Sequence, residues 1–363
     1  MLLTALLLIA LTLGVAFANG ANDVSKGIAT LVGAGLAGER RAILWGTVWT
    51  VLGVSVALVL AHGLVATFSG RGILVAPPAG LIWPASVAVG VIGWLMVATR
   101  AGLPVSTTHA LVGAILGAGM VAGGPDGVLW TGVLAKVGLP LLASPLLSLA
   151  LVFGLLPTAA AAFRRLATYC VCLEQHEVVL IPLGFNEAMI AGRELRVVAA
   201  ADCPPRVLTR VNALDSMHWL TAGFTSFARG LNDSPKILAL GLVAGPTVGV
   251  GPGALLALVA VAMGAGSVYA GRRVTGTLAT KVTAMSAPEA LTANAVTAGL
   301  VGIASNFGWP VSTTHVSAGT VIAVGMHRRE LHWKLVREMA VAWLVTVPVA
   351  ALLAGAVYAV AGR

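Results

Sequence analysis

The chain is 363 residues long, 58% hydrophobic and only 10% charged, with a formal net charge of +9. Soluble domains carry about 25% charged residues, so this chain cannot cover a water-facing surface and takes lipid as its solvent. The positive excess does not mark a nucleic-acid partner: Lys and Arg sit mainly between apolar runs, the positive-inside pattern of a membrane protein, and no basic patch alternates with aromatics.

Met1 to Ala18 is an apolar run ending Ala16-Phe17-Ala18, which imitates a signal-peptide cleavage site. It lacks a basic start, and the motif after it recurs later without any such leader, so the run reads as the first transmembrane helix. Gly20-Ala21-Asn22-Asp23-Val24-Ser25-Lys26 follows, then apolar segments at roughly 24–37, 42–66, 80–99, 104–121 and 128–157. The fifth of the six segments opens on Pro104-Val105-Ser106-Thr107-Thr108-His109. Residues 160–212 differ in kind, holding all three Cys and short alternating runs such as Val178-Val179-Leu180-Ile181, and predict a small cytoplasmic insert with some strand. Cys170, Cys172, His176 and Cys203 offer a Cys₃His set at a non-standard spacing; reduced free thiols are the default in a cytoplasmic loop, and no metal is expected.

After the insert the pattern begins again. Segments at roughly 213–228, 233–247, 251–270, 282–305, 309–326 and 335–361 carry Gly230-Leu231-Asn232-Asp233-Ser234-Pro235-Lys236 and then Trp309-Pro310-Val311-Ser312-Thr313-Thr314-His315. The two motifs lie 84 residues apart in the first half (Asn22 to Ser106) and 80 in the second (Asn232 to Ser312). The chain is therefore a duplicated unit: a first membrane repeat over 1–159, the insert over 160–212, and a second repeat over 213–363. A span needs about 20 apolar residues, so 24–37 and 233–247 are too short to cross alone and read as half-helices or re-entrant pieces joined to the segment before them. Equivalent loops carry opposite basic bias. Glu39-Arg40-Arg41 corresponds to an uncharged loop near Pro246 to Pro252. Gly123 to Gly127, without Lys or Arg, corresponds to the basic stretch His327 to Lys334. Such loops face opposite sides of a membrane, which predicts an all-α polytopic protein of two inverted-topology repeats with broken or re-entrant helices at the midplane. Counting each short piece with its predecessor gives five crossings per half, an odd number, with both termini outside.

A carboxylate at membrane depth costs about 2.5–3.5 kcal/mol even on a lenient scale, and this sequence accepts one twice, at Asp23 and Asp233. Asn22 and Asn232 add neutral oxygens beside them, so the four are candidates for a coupling-ion site where a helix breaks. The bland reading is that Asp23 with Lys26, and Asp233 with Lys236, merely neutralise one another as i,i+3 partners. In the second motif Pro ends regular structure and Ser is a good N-cap. A helix N-terminus there would present N–H groups and partial positive charge to an anion. Ser106, Thr107, Thr108, Ser312, Thr313 and Thr314 thus form a candidate cradle for a tetrahedral oxyanion, with backbone bonding of the hydroxyls as the alternative. His109 and His315 read equally as packing groups and as proton or substrate contacts, and Arg229 either as an anion contact or as a helix-end anchor. An intramembrane Ser/His/Asp enzyme would need one asymmetric nucleophile–base set. Every candidate here occurs twice, so no enzyme is expected, and no nucleotide-binding motif points to a pump.

Gly-Ala-Asn-Asp, its echo Gly-Leu-Asn-Asp, and two Pro-Val-Ser-Thr-Thr-His segments resemble the PiT inorganic phosphate transporter family over essentially both halves. The resemblance implies a secondary active carrier in the cytoplasmic (inner) membrane, usually a homodimer, that moves inorganic phosphate by alternating access with sodium or protons. Some bacterial relatives carry sulfate instead. It also implies a site at Asn22, Asp23, Asn232, Asp233 and the two Ser-Thr-Thr triplets, with no cofactor besides the coupling ion. One departure stands out: the family motif usually continues Val-Ala-Asn-Ala, whereas Lys26 and Lys236 occupy the place of that second Asn. Each ammonium could contact the anion itself or stand where a bound cation otherwise sits.

Overall fold

The computed structural model describes residues 1–166, 169–175, 179–183, 186–190, 193–199, 207–281 and 285–362. Helix α1 (Leu2–Asp23) passes into α2 (Ser25–Gly33) across Val24 alone, which keeps right-handed helical angles (φ −57°, ψ −34°). Together they form one apolar span of 32 residues. The chain returns through α3 (Glu39–Ser55), α4 (Ala57–Leu60) and α5 (His62–Phe68), a helical run interrupted at Val56 and Ala61. Then α6 (Ile82–Arg100) and α7 (Thr107–Gly123) make a hairpin. Its base is closed where Leu74 bridges Val128 and the Val75 N–H donates to the Gly127 carbonyl at 2.9 Å. Helix α8 (Trp130–Val133) continues through a π-helical turn, Leu134–Gly138, into α9 (Leu139–Leu166).

Between the halves lie five short strands: β1 (Tyr169–Gln175), β2 (Val179–Leu183), β3 (Asn186–Ile190), β4 (Arg193–Ala199) and β5 (Val207–Asn212). β1 pairs antiparallel with β4 and β5, and β2 with β3. Helix α9 runs on to Leu166, so the strand material begins seven or more residues later than the expected boundary at 160. Cys170 and Cys172 fall on β1, while His176 and Cys203 lie outside the described residues. Among the described residues no group of three or more His, Cys, Asp or Glu is placed to hold a metal.

The second half repeats the order. Helix α10 (Ala213–Gly241) is followed by α11 (Gly245–Val248), α12 (Pro252–Ala270) and α13 (Arg272–Lys281), then by the hairpin α14 (Ala287–Asn306) and α15 (Thr313–Arg328), then by α16 (Trp333–Ala361). The base of this hairpin is closed by Arg328, which donates to the Glu289 carboxylate at 3.0 Å. The pieces at 24–37 and 233–247 are, as expected, joined to the segments before them, α2 to α1 and the end of α10 to its start; the helical hairpin in each half is what segment lengths did not predict. The Asn-Asp motifs sit inside helices, continuous in α10 even across Pro235. Their polar side chains find partners on other elements, so the backbone has no need to open. Each half thus holds three long helical runs and one hairpin.

Both hairpin tips are built the same way. Gly102 (φ +71°) and Gly308 (φ +68°) leave their helices in the left-handed region. There a Leu103 N–H reaches the Ala98 carbonyl and a Trp309 N–H the Ala304 carbonyl, at 2.9 and 2.8 Å. This is the Schellman stop, which needs Gly because a Cβ is disfavoured at positive φ. Pro104 and Pro310 keep the chain extended. Ser106 and Ser312 then restart it as N-caps, each Oγ accepting from the N–H three residues on, of His109 and of His315, at 3.2 Å.

The halves are interleaved. The α6–α7 hairpin packs against α16 of the second half, and the α14–α15 hairpin against α9 of the first; α1 packs on α12, and α10 on α3. Small residues set these contacts, as membrane helices require. A Cβ on Gly266 would collide with the Phe17 carbonyl, and one on Gly20 with that of Met263. Gly266→Val is expected to push α1 off α12 and to cost at least about 1–3 kcal/mol by overpacking. The check is a fall of several degrees in the unfolding midpoint of the detergent-solubilised protein; an unchanged midpoint would show that the helices do not approach so closely.

Candidate functional site

The two hairpin tips meet end to end at the centre of the molecule. Ser312 Oγ donates to Ser106 Oγ at 2.8 Å, joining two N-caps 206 residues apart in sequence. Around that contact the hydrogen bonds are reciprocal. Thr314 Oγ1 donates to the Val105 carbonyl at 2.9 Å, and Thr108 Oγ1 to the Val311 carbonyl at 3.3 Å. Each hydroxyl therefore holds the opposite hairpin's tip. The lysines hold their own: Lys26 Nζ donates to the Val105 carbonyl and Lys236 Nζ to the Val311 carbonyl, both at 3.0 Å.

The Asn-Asp motifs flank this junction. Lys26 forms an ion pair with Asp23 Oδ1, and Lys236 Nζ lies 3.3 Å from Asp233 Oδ1, so the i,i+3 pairing expected as the bland reading is present in both halves. It is not the whole of their geometry, because Lys236 Nζ also donates to Thr108 Oγ1 at 2.7 Å and Thr107 Oγ1 donates to Asp23 Oδ2 at 3.2 Å. Asn22 serves the first tip, donating to Thr99 Oγ1 and the Leu103 carbonyl and accepting from the Val105 N–H. Asn232 serves the second, donating to the Val311 carbonyl and Asp233 while accepting from Ser305 Oγ. Every one of these polar side chains is buried, and a membrane interior allows such polarity only when it is paired inward.

Two further residues complete the centre. Asn19 Nδ2 lies within 3.1 Å of Asp23 Oδ2, Asp233 Oδ2 and Thr107 Oγ1, tying the two carboxylates together. Its Oδ1 accepts from Arg229 Nη1 at 3.3 Å, and Arg229 Nη2 donates to Thr50 Oγ1 at 2.6 Å. Asn19 and Arg229 precede their respective Asn-Asp motifs at the same distance, so the pair is formed by equivalent positions of the two halves. The helix-end reading of Arg229 is thereby replaced: the guanidinium is 1% exposed and points at the centre. Asn19 is the residue that motif reasoning passed over; its signal is an amide one helical turn before Asp23 in an otherwise apolar run.

The histidines lie behind the caps. His109 and His315 stack with ring centroids 4.3 Å apart, each Nδ1 within 2.8 Å of the Ser Oγ that caps its own helix. Trp343 covers His315 at 4.0 Å. They orient the serines that join the tips.

The sequence matches the model of a family described as "Phosphate transporter family" over residues 19–354. The chain is 30% identical over 403 residues to a proposed phosphate permease of Pyrococcus abyssi, the match covering 97% of this chain and 96% of that one. It is 31% identical over 402 residues to its counterpart in Pyrococcus horikoshii, covering 98% and 97%. Among solved structures it is similar to "The sodium-dependent phosphate transporter", with a TM-score of 0.77 over 99% of both chains at 23% identity, a likeness of fold.

Proposed function

Since the chain belongs to the phosphate transporter family, we propose that it carries inorganic phosphate across the cytoplasmic membrane by alternating access around the junction of its hairpin tips. The observation that carries this reading is the charge of the centre. Lys26, Lys236 and Arg229 are three buried cations against the two carboxylates of Asp23 and Asp233, all 4% exposed or less. One positive charge is left over where burial makes it most costly, and Arg229 Nε is a buried donor without a partner among the described residues. A monovalent dihydrogen phosphate answers both. It also brings O–H donors of its own, which suit a centre rich in carboxylate and carbonyl acceptors. Sulfate, a dianion with no donor, would leave those acceptors facing its oxygens, so the second reading, a sulfate permease, is the weaker one.

We take the three helical runs of each half as passes and its hairpin as re-entrant. Two passes return the chain to its N-terminal face, where the first hairpin is based; a third places the insert and the second hairpin's base on the other face. The halves then have inverted topology. Arg40, Arg41, Arg272, Arg273, Lys281, Arg328, Arg329 and Lys334 all fall on the face with the insert, against Arg71 and Lys136 opposite. That bias supports a cytoplasmic insert.

The test is uptake of labelled phosphate, sulfate and arsenate into proteoliposomes; faster uptake of sulfate than of phosphate would overturn the assignment. A narrower expectation concerns the triplets. Changing Thr107 and Thr108 together to Val, or Thr313 and Thr314 together, removes hydroxyls at nearly constant volume. Apparent phosphate affinity should fall at least about tenfold, since hydrogen bonds to a charged ligand contribute about 1.5–3 kcal/mol each. Unchanged affinity in both double variants would reduce the triplets to packing.

A further inference from the structure

The two halves match at the hairpin tips and differ beside them. Between α2, α14 and α15 lies a cavity of ≈20 Å³, lined on its polar side by Lys26, Thr30, Asn294, Thr297, Ser317 and Thr320. That volume admits a water molecule. Asn294 Nδ2 donates to Thr30 Oγ1 at 2.9 Å, closing the cleft between the first half's α2 and the second half's hairpin, and Thr297 and Thr320 lie 3.3 Å apart across α14 and α15. The equivalent cleft lies between the end of α10 and the hairpin α6–α7. Aligning Asn22 with Asn232, and Pro104 with Pro310, puts Leu240 opposite Thr30, Ala88 opposite Asn294 and Val91 opposite Thr297. Leu111 stands opposite Ser317 and Ala114 opposite Thr320. All five are apolar and at most 1% exposed. Five polar positions against five apolar ones, at sites that repeat symmetry makes equivalent, is a difference that packing alone does not require. Buried hydroxyls and amides in a membrane interior mark a wet path, because apolar side chains fill dry space at lower cost.

We propose that the cleft between α2, α14 and α15 is the hydrated passage by which the anion leaves the centre toward the face bearing the insert, that Lys26 stands at its inner end, and that the Thr30–Asn294 hydrogen bond is its latch. The cleft under α6 and α7 is sealed by apolar packing. This rests on the transport reading and adds to it the route and its gate. The residues involved serve no tip: Thr30, Asn294, Thr297 and Thr320 hydrogen-bond neither Ser106 nor Ser312, while Thr297 and Thr320 Oγ1 also donate to the Ala293 and Ser317 carbonyls of their own helices at 2.8 and 2.7 Å.

The experiment uses the full-length chain with Cys170, Cys172 and Cys203 changed to Ser, carrying Ser317→Cys or Thr320→Cys, and a membrane-impermeant methanethiosulfonate applied from either face of proteoliposomes. Both cysteines should react from the insert-bearing face and not from the other, and saturating phosphate should slow the reaction. Ala114→Cys and Ala88→Cys, in the opposite cleft, should react from neither face. Adding Asn294→Ala or Thr30→Val should raise the rate at Thr320→Cys by about three- to tenfold, the worth of one neutral hydrogen bond. The two changes together should do no more than either. No reaction at either cysteine, or equal reaction at Ala114→Cys, overturns the passage; independent effects of the two latch variants overturn the latch. Phosphate uptake measured on the same vesicles separates these outcomes from failure of the substrate assignment, which would abolish phosphate protection and uptake alike while leaving the sidedness of labelling intact.

Discussion

Asp233→Asn is expected to reduce phosphate uptake at least about 100-fold while the protein still reaches the membrane, and Asp23→Asn to do the same. Each carboxylate is held by the lysine three residues on and by Asn19, and Asp233 Oδ1 also accepts from Asn232 at 3.0 Å. Neutralising one leaves a buried ammonium uncompensated, and breaking a buried pair from one side costs about 3–5 kcal/mol. Spread over a transport cycle, about 3 kcal/mol is a factor of about 100 in rate. The centre would also carry one more net positive charge, so a bound anion would be released more slowly. Initial rates of labelled uptake check this, alongside elution profile and unfolding midpoint to separate lost transport from lost fold. Near-normal uptake by both variants would remove the carboxylates from the mechanism.

Replacing sodium by choline, at fixed pH and membrane potential, is expected to change uptake less than about tenfold, a coupling of about 1.4 kcal/mol. Each lysine ammonium lies between a carboxylate oxygen and a hairpin carbonyl: Asp23 and Val105 for Lys26, Asp233 and Val311 for Lys236. Carboxylate plus backbone carbonyl is the oxygen set a hard cation takes where helices are interrupted. Here that set is filled by a charge that cannot leave. Lysines that snorkelled to the membrane surface would leave the ion site open, but Lys26 and Lys236 are 4% and 0% exposed. Lys26→Asn and Lys236→Asn restore the amide that the resembling family carries, and uptake that becomes sodium-dependent in either would locate the replaced ion. Stimulation of the unmodified protein more than tenfold by sodium would show that the ion binds elsewhere.

The centre was legible because duplication repeats a motif only where both copies are used. The two Asn-Asp-x-x-Lys stretches and the two Ser-Thr-Thr-His stretches converge within hydrogen-bond distance, and the all-helical membrane fold follows from charge poverty and segment lengths. What periodicity could not convey was which apolar runs fold back on one another. Segments 80–99 and 104–121 are long enough to span, yet they form a hairpin. What turns them back is a Gly–x–Pro at the tip and a capped restart, features local sequence shows without saying where the tip lies. The helix break expected at the Asn-Asp motifs shrinks to Val24 in the first half and is absent from α10 in the second, because the polar residues there are satisfied by the other half, as Asn19 and Arg229 satisfy one another. Thr30 and Asn294 went unnoticed because they lie outside both motifs, and their meaning appears only when they are compared with Leu240 and Ala88.

The interleaving of the halves bears on how the protein is made. The first hairpin finds its packing surface on α16, where Gly113 lies against Val347 and Gly117 against Ala351, and α16 leaves the ribosome long after it. The hairpin is therefore synthesised about 200 residues before the helix that covers it, a wait of about 10–40 s at ordinary elongation rates. During that wait its glycine-lined face must be held by lipid or by an insertion chaperone. The second hairpin meets α9 already in place. Biogenesis thus treats the two copies unequally even where the finished centre does not.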